Sequence, residues 1–342
     1  MLAVRTHAAG EPLSLDELPI PEPTGDAVLV RVAGCGVCHT DLHLARTDRL
    51  RMVRPVTLGH EIAGWIHEVG PRAAPLLRRA RLAIGDAVLV HGGWGCGACR
   101  ECASGVEQRC ERGTSPGFQR DGGYAEYVLV PHARHLVGIG DLDPVTAAPL
   151  ADEGVTPFRA VQRAVPWLTP GARVLVIGYG GLGQFALQFL RHLPDLTVAV
   201  RDIDPDKVAA ATEQGAHLAL LGGDESLVSL GLAGPADVVF DFVGDDGSMA
   251  YAAANVAPGG LVSLVGEAGG RLSFGFGALP DEASLTTTAW GSLADLREVV
   301  RRARRGRLRW TVEPIPLRQA QAAHDRLAAG GVTSRLVLVP GD

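Results

Sequence analysis

Residues 171–193 read GARVLVIGYGGLGQFALQFLRHL, and this stretch decides the architecture. Arg173–Ile177 is a short run, apolar after Arg173 and rich in branched side chains, as a buried strand requires. Gly178-x-Gly180-Gly181-x-Gly183 follows directly, and Leu182, Phe185, Ala186 and Phe189 then recur at helical spacing. Between a strand and a helix the glycine spacing becomes informative. Glycines let the chain turn tightly and bring the amides of a helix N-terminus against a pyrophosphate, where the helix dipole also favours negative charge. Gly178, Gly180, Gly181, Leu182 and Gly183 are therefore expected to bind a dinucleotide. The next strand-like run, LTVAVRDID (196–204), carries Asp202 nineteen residues beyond Gly183. An acid there hydrogen-bonds ribose hydroxyls and repels a 2′-phosphate, so NAD(H) is expected over NADP, even with Arg201 alongside. ADVVFDFVG (236–244) and GGLVSLVGE (259–267) read as later strands of the same parallel sheet, with Val243 and Val265 bordering the cofactor.

Upstream of this unit, four of the six cysteines fall within fifteen positions, as Cys96-x2-Cys99-x2-Cys102-x7-Cys110 in a Gly-rich segment. A redox pair needs two thiols, whereas four at this spacing can wrap a tetrahedral Zn²⁺. Four sulfur ligands leave no open position, so this metal would be structural. The start of the chain has no apolar segment behind a basic one, and no long apolar window follows. That favours the cytoplasm, where disulfides are rare, and argues against a membrane partner. A second concentration of metal-binding chemistry lies in AGCGVCHTDLH (33–43) and LGHEIAG (58–64), which hold Cys38, His39, Thr40, Asp41, His43, His60 and Glu61.

Gly59-His60-Glu61-x2-Gly64-x5-Gly70-x2-Ala73 reproduces the zinc signature of the medium-chain, zinc-dependent alcohol dehydrogenases, and the cysteine cluster has that family's structural-zinc spacing. The resemblance runs nearly end to end and is strongest to bacterial members whose third catalytic-zinc ligand is an aspartate. It implies that Cys38, His60 and Asp152 of PLADEGVTPF (149–158) hold a catalytic zinc, with Glu153 a weaker rival to Asp152, Glu61 close to the ion, and Asp41 holding the far nitrogen of His60. The open position would bind an alcohol oxygen and stabilise its alkoxide before hydride leaves for the cofactor. Thr40 would accept the proton and His43 would continue its path. The same resemblance places Thr156 on the nicotinamide, His39 and Arg335 at the pyrophosphate and Lys207 at the adenosine ribose. Trp94, Phe118, Leu150 and Trp290 are candidate walls of an apolar substrate pocket. Cys35 matches no motif position and reads as a packed thiol.

The implied fold is α/β: a GroES-like, mainly β catalytic domain from residues 1–153 with 291–342, carrying both zinc sites, interrupted by a Rossmann doubly wound parallel-sheet NAD-binding domain at 154–290. Such sheets bind ligands at the carboxyl ends of their strands, which points to an active site in the cleft between domains. The 342 residues suffice for two cores. A formal charge of −6 disfavours nucleic acid as a partner. Expected partners are a small alcohol, aldehyde or ketone and further copies of the chain, as homodimer or homotetramer. The arginine runs RRARLA (78–83) and RRARRGRLR (301–309) read as solvated helix faces, and the arginine-rich segment 70–86 has no assigned role. The rival readings are a polyol or other specialised dehydrogenase of the superfamily, and a catalytically silent zinc and nucleotide binder.

Overall fold

The computed structural model describes residues 1–47, 52–223 and 232–341. The chain divides into two compact units, Met1–Val155 with Trp290–Asp342, and Thr156–Ala289. Gly154, Val155 and Trp290, placed by the sequence reading in the nucleotide domain, cluster with the first unit instead.

In the first unit, the strand Val28–Gly36 pairs antiparallel with Glu61–Val69, with Tyr127–Val130 and with the C-terminal strand Arg335–Val339. The sheet continues from Glu61–Val69 through Ala87–Val90 to Leu136–Gly138, and ends on the other side in Val312–Pro316. Its core includes Val30, Val32, Ile62, Ile66, Val88, Leu336 and Leu338, drawn from strands far apart in sequence. Cys35 lies in that core, fully buried, with no disulfide. The helix Leu293–Arg304 starts where Ser292 and Asp295 cap each other reciprocally: the Ser292 hydroxyl accepts the Asp295 amide at 3.1 Å, and the Asp295 carboxylate accepts the Ser292 amide at 2.8 Å.

The second unit is a six-stranded, all-parallel sheet in the order Leu218–Leu221, Thr197–Asp202, Arg173–Ile177, Ala236–Asp241, Val256–Leu264, Ser284–Thr287. The order runs outward in both directions from Arg173–Ile177, so the topological switch point lies between that strand and Ala236–Asp241. Both expected later strands are present. Helices on the sheet faces bury the strands almost completely, which is why Val174, Leu175, Val176 and Ile177 are all apolar. No helix among the described residues is long and apolar enough to cross a membrane.

One buried pair shapes the first unit's response to acid. His91 and His135 stack with ring centroids 6.5 Å apart, and His91 donates through Nε2 to the Gly291 carbonyl at 2.8 Å. Burial, reinforced by Arg134 and His91, holds His135 down at about 2, and burial also lowers His91. The His135 imidazole is therefore neutral in the folded chain but takes a proton near pH 6.5 when it unfolds. Its contribution is constant above that pH. Below it the unfolded state binds more protons, and His135 removes about 1.4 kcal/mol of stability per pH unit. Urea unfolding of His135→Gln from pH 6.5 to 5 should show a slope shallower than the parent's by about one proton. An unchanged slope would mean that His135 is charged in the fold.

Candidate active site and metal centres

The strand Val28–Gly36 ends two residues before Cys38, which caps the helix His39–Arg46. Asp41, in that helix's first turn, has no exposed surface. One of its oxygens accepts the Cys38 amide at 2.9 Å, and the other lies 3.1 Å from His60 Nδ1. This fixes His60 with Nε2 directed at Asp152, 3.5 Å away, while the Cys38 sulfur stands 4.0 Å from the same carboxylate oxygen. Donor atoms of Cys38, His60, Glu61 and Asp152 all lie within 4.8 Å of one another.

The electrostatics of this cluster favour a cation. Burial opposes charge on both His60 and Asp41, yet their mutual attraction outweighs it: His60 is pushed well above the usual histidine range, and Asp41 is held below the usual carboxylate range. Sulfur, imidazole nitrogen and carboxylate oxygen together form a mixed donor set of the type found around zinc.

Glu61 is buried beside this set and receives a two-pronged hydrogen bond from Arg335, with Nε donating to Oε2 at 2.9 Å and NH2 donating to Oε1. Burial raises the Glu61 carboxyl to about 7 against the pull of Arg335. Arg335 NH1 also lies 3.7 Å from Glu153. Arg335, 9% exposed, is paired with two carboxylates of its own unit. Glu153 is its counter-ion, while Asp152 faces the sulfur and imidazole. Sheet register is the cause: Val337 pairs with Gly36, which pairs with Glu61. Gly36 is also a spatial requirement, because a Cβ there would come 1.8 Å from Glu61 Oε2.

Phe118 and Trp290 flank His60, each with its ring centroid 5.7 Å away. Trp290 adopts a left-handed backbone conformation, φ 51°, and its indole donates to the Ala151 carbonyl at 3.2 Å, beside Asp152. Its ring occupies space left by Gly92, where a Cβ would fall 1.8 Å from Cζ2. Of the other two candidate walls, Leu150 is fully buried and packs under Gly154, and Trp94 is buried with its ring centroid 6.4 Å from that of His135. On the helix after Cys38, His39 is exposed, and Thr40 and His43 are half-buried one turn apart.

The four sulfurs of Cys96, Cys99, Cys102 and Cys110 lie within 4.8 Å of one another, with 3.6 Å between those of Cys99 and Cys110. Zinc–sulfur bonds of about 2.3 Å in a tetrahedron place sulfurs about 3.8 Å apart, so the cage fits that ion. Hydrogen bonds from the Ala98 and Cys99 amides lower the Cys96 thiol to about 6, and Arg112 approaches its sulfur at 3.3 Å. Thiolate is the form that binds metal.

In the second unit, Gly178 has φ 86° and lies where a Cβ would strike Val243, while a Cβ on Gly183 would fall 2.1 Å from the Gly178 carbonyl. Gly180 caps the helix Gly181–Leu190. Asp202 accepts the Tyr179 amide at 2.6 Å, which joins the end of its strand to the turn. Arg201 is turned away: it donates to the Gly223 carbonyl at 2.8 Å and lies over the Tyr251 ring at 4.3 Å. Lys207 stands 4.0 Å from Asp204. Thr156 and Val265 are buried, and Leu182 and Val243 are half-buried. Asp241, which the sequence reading passed over, orders the loop carrying Val243. Its carboxylate accepts the Val243 and Gly244 amides at 2.9 and 3.0 Å and the Ser248 hydroxyl at 2.8 Å. The available signal was an acid at the end of a strand, directly before Phe-Val-Gly.

Residues 24–141 match the family model of the alcohol dehydrogenase GroES-like domain, and residues 181–305 match that of the zinc-binding dehydrogenase. A D-arabinose 1-dehydrogenase (NADP(+)) of Saccharolobus solfataricus is 35% identical over 96% of this chain and 95% of its own. An NAD-dependent alcohol dehydrogenase of Sulfurisphaera tokodaii is 34% identical over 99% of this chain and 100% of its own. The crystal structure of the Aeropyrum pernix alcohol dehydrogenase superposes with a TM-score of 0.90 at 33% identity, covering 99% of this chain and 100% of that one. Likeness of this extent, carried over both units and both cysteine-bearing motifs, makes the chain a member of the zinc-dependent medium-chain alcohol dehydrogenase family.

Proposed function

We propose that the chain is an NAD-linked zinc alcohol dehydrogenase that interconverts small alcohols with their aldehydes or ketones. The observation that carries this reading is the donor set of Cys38, His60 and Asp152 on one side and the Phe118 and Trp290 rings on the other. Three protein ligands would leave a coordination position for substrate. When bound, zinc supplies Lewis acidity that makes an alcohol proton labile near neutral pH, and NAD supplies the hydride acceptor. The chain's own residues do the remaining work. Asp41 orients His60 through Nδ1, and Arg335 keeps the Glu61 carboxylate paired beside the ligands. Phe118 and Trp290 exclude water and hold an apolar substrate. Thr40 receives the alcohol proton and His43, one turn along the same helix, passes it outward. The Cys96, Cys99, Cys102 and Cys110 cage holds a second, structural zinc.

In the nucleotide unit, Gly178, Gly180, Gly181, Leu182 and Gly183 receive the pyrophosphate, with His39 approaching it. Thr156, Val243 and Val265 border the nicotinamide, and Lys207 borders the adenosine ribose. NAD is favoured because Asp202 lies at the turn and Arg201 is engaged with Gly223 and Tyr251. A second reading, oxidation of a sugar or polyol, draws support from the D-arabinose dehydrogenase relative. Against it stands the aromatic, apolar flank of His60. NADH formation from 2-propanol, benzyl alcohol, cyclohexanol, sorbitol and D-arabinose separates the readings; turnover of none of them would leave a silent binder.

His60→Ala should reduce turnover at least a thousandfold, about 4 kcal/mol of transition-state stabilisation, while metal analysis still finds about one zinc per chain. Retained turnover would overturn the open-site assignment. Cys99→Ser should instead lower thermal stability and metal content, with kcat of the folded fraction kept within about threefold. A folded but inactive Cys99→Ser would show that the two metal roles are exchanged. Asp202→Ser should raise the NADP to NAD ratio of kcat/KM by about tenfold or more, as the repulsion of a 2′-phosphate is removed. No change in that ratio would place the selectivity elsewhere.

A further inference from the structure

The two arginine-rich stretches that dehydrogenase chemistry leaves without a role meet in the fold. The helix Ala73–Arg79 with the turn after it, and the helix Leu293–Arg304 with its C-terminal turn, line one cavity of about 930 Å³ in the first unit. Arg79, Arg81, Arg297, Arg301, Arg304 and Arg305 line it, and Leu136, Val137 and Gly138 of a sheet strand also contribute. Only two carboxylates, Asp86 and Asp141, stand among the lining residues, so the cavity holds a surplus of four positive charges in a chain of net charge −6. Arg304 pairs with Asp141 at 3.2 Å, and Arg301 pairs with Glu298 outside the lining. Arg79, Arg81, Arg297 and Arg305 make no ion pair among the described residues.

The backbone accommodates this arrangement at two points. Arg81 ends its helix in the left-handed conformation, φ 58°, where glycine is the usual choice. Gly140, φ 63°, leaves the room that the Arg304 guanidinium fills, since a Cβ there would come 2.6 Å from Cζ. Cations at the end of Leu293–Arg304 complement that helix's dipole. Arg79 and Arg81 stand likewise at the C-terminal end of Ala73–Arg79, whereas the dipole does not account for Arg297. Like charges around a concave wall raise a strong local potential, and guanidinium forks match the paired oxygens of phosphate. The lining has no aromatic ring on which a base could stack. The volume exceeds the needs of a single phosphate.

We propose that this cavity is a binding site for a small polyphosphate without an aromatic base, separate from the dehydrogenase site. The test is calorimetric titration of inorganic triphosphate into the zinc-loaded, NADH-saturated protein at low salt, with zinc content measured before and after. Saturable binding that weakens as salt is raised is expected, with orthophosphate at least about tenfold weaker. Arg81→Gln with Arg305→Gln should weaken triphosphate binding about tenfold for each guanidinium lost, with zinc content and alcohol turnover unchanged. Glu298→Gln, which releases Arg301, should tighten it. Absence of saturable binding, an affinity unaltered in both the arginine pair and Glu298→Gln, or binding that tracks loss of zinc overturns the proposal. So does a change of subunit count in the arginine variant without triphosphate binding, which would make this face a contact between copies.

Discussion

A carboxylate with no exposed surface holds the candidate active site together. Asp41 accepts the Cys38 amide with one oxygen and meets His60 Nδ1 with the other. An ionised carboxylate taken out of water costs several kcal/mol unless its partners are well placed. The start of one helix and a histidine from the next loop are therefore bound into one geometry. Because Nδ1 is engaged, Nε2 faces Asp152, and the helix start places the Cys38 sulfur near the same carboxylate. The orientation of His60 and the placement of the Cys38 sulfur both follow from that single buried group.

Beside it lies a second layer of buried charge. One guanidinium, Arg335, is shared between Glu61 and Glu153. With Asp152 close by, carboxylates outnumber the cationic groups around this pocket. A divalent cation would restore the balance, which is the physical sense in which this pocket suits zinc. Absent side chains are part of the same construction. Gly36 makes space for the Glu61 carboxylate, and Gly92 makes space for the Trp290 ring that stands against His60.

Legibility in the sequence varied from element to element. The nucleotide turn could be read outright, since strand, glycines and helix are contiguous and Gly178 and Gly183 are needed for reasons local to the turn. The cysteine cage was equally plain, because its four ligands sit in one short loop. Hydrophobicity alone does not distinguish a side chain facing a cavity from one facing the core, and Trp94 and Leu150 are both buried. The pairing of Arg335 with Glu61 was not legible, because the two are 274 positions apart. The two arginine runs are largely solvent-exposed, as their sequence suggests, but nothing in either run signals that it shares a cavity with the other.

The residues alone determined what short-range chemistry governs: the Gly-rich turn with its flanking strand and helix, the two cysteine-bearing motifs, and the family that those motifs mark. Backbone conformation, chelate closure and helix capping act over a few positions, so they survive in the linear order. Only the tertiary structure decided which charges meet, with Arg335 between Glu61 and Glu153, Asp152 facing the imidazole, and six guanidinium groups around one hollow. Coulomb energy and desolvation depend on distance in space, and pairing between remote strands and helices sets that distance.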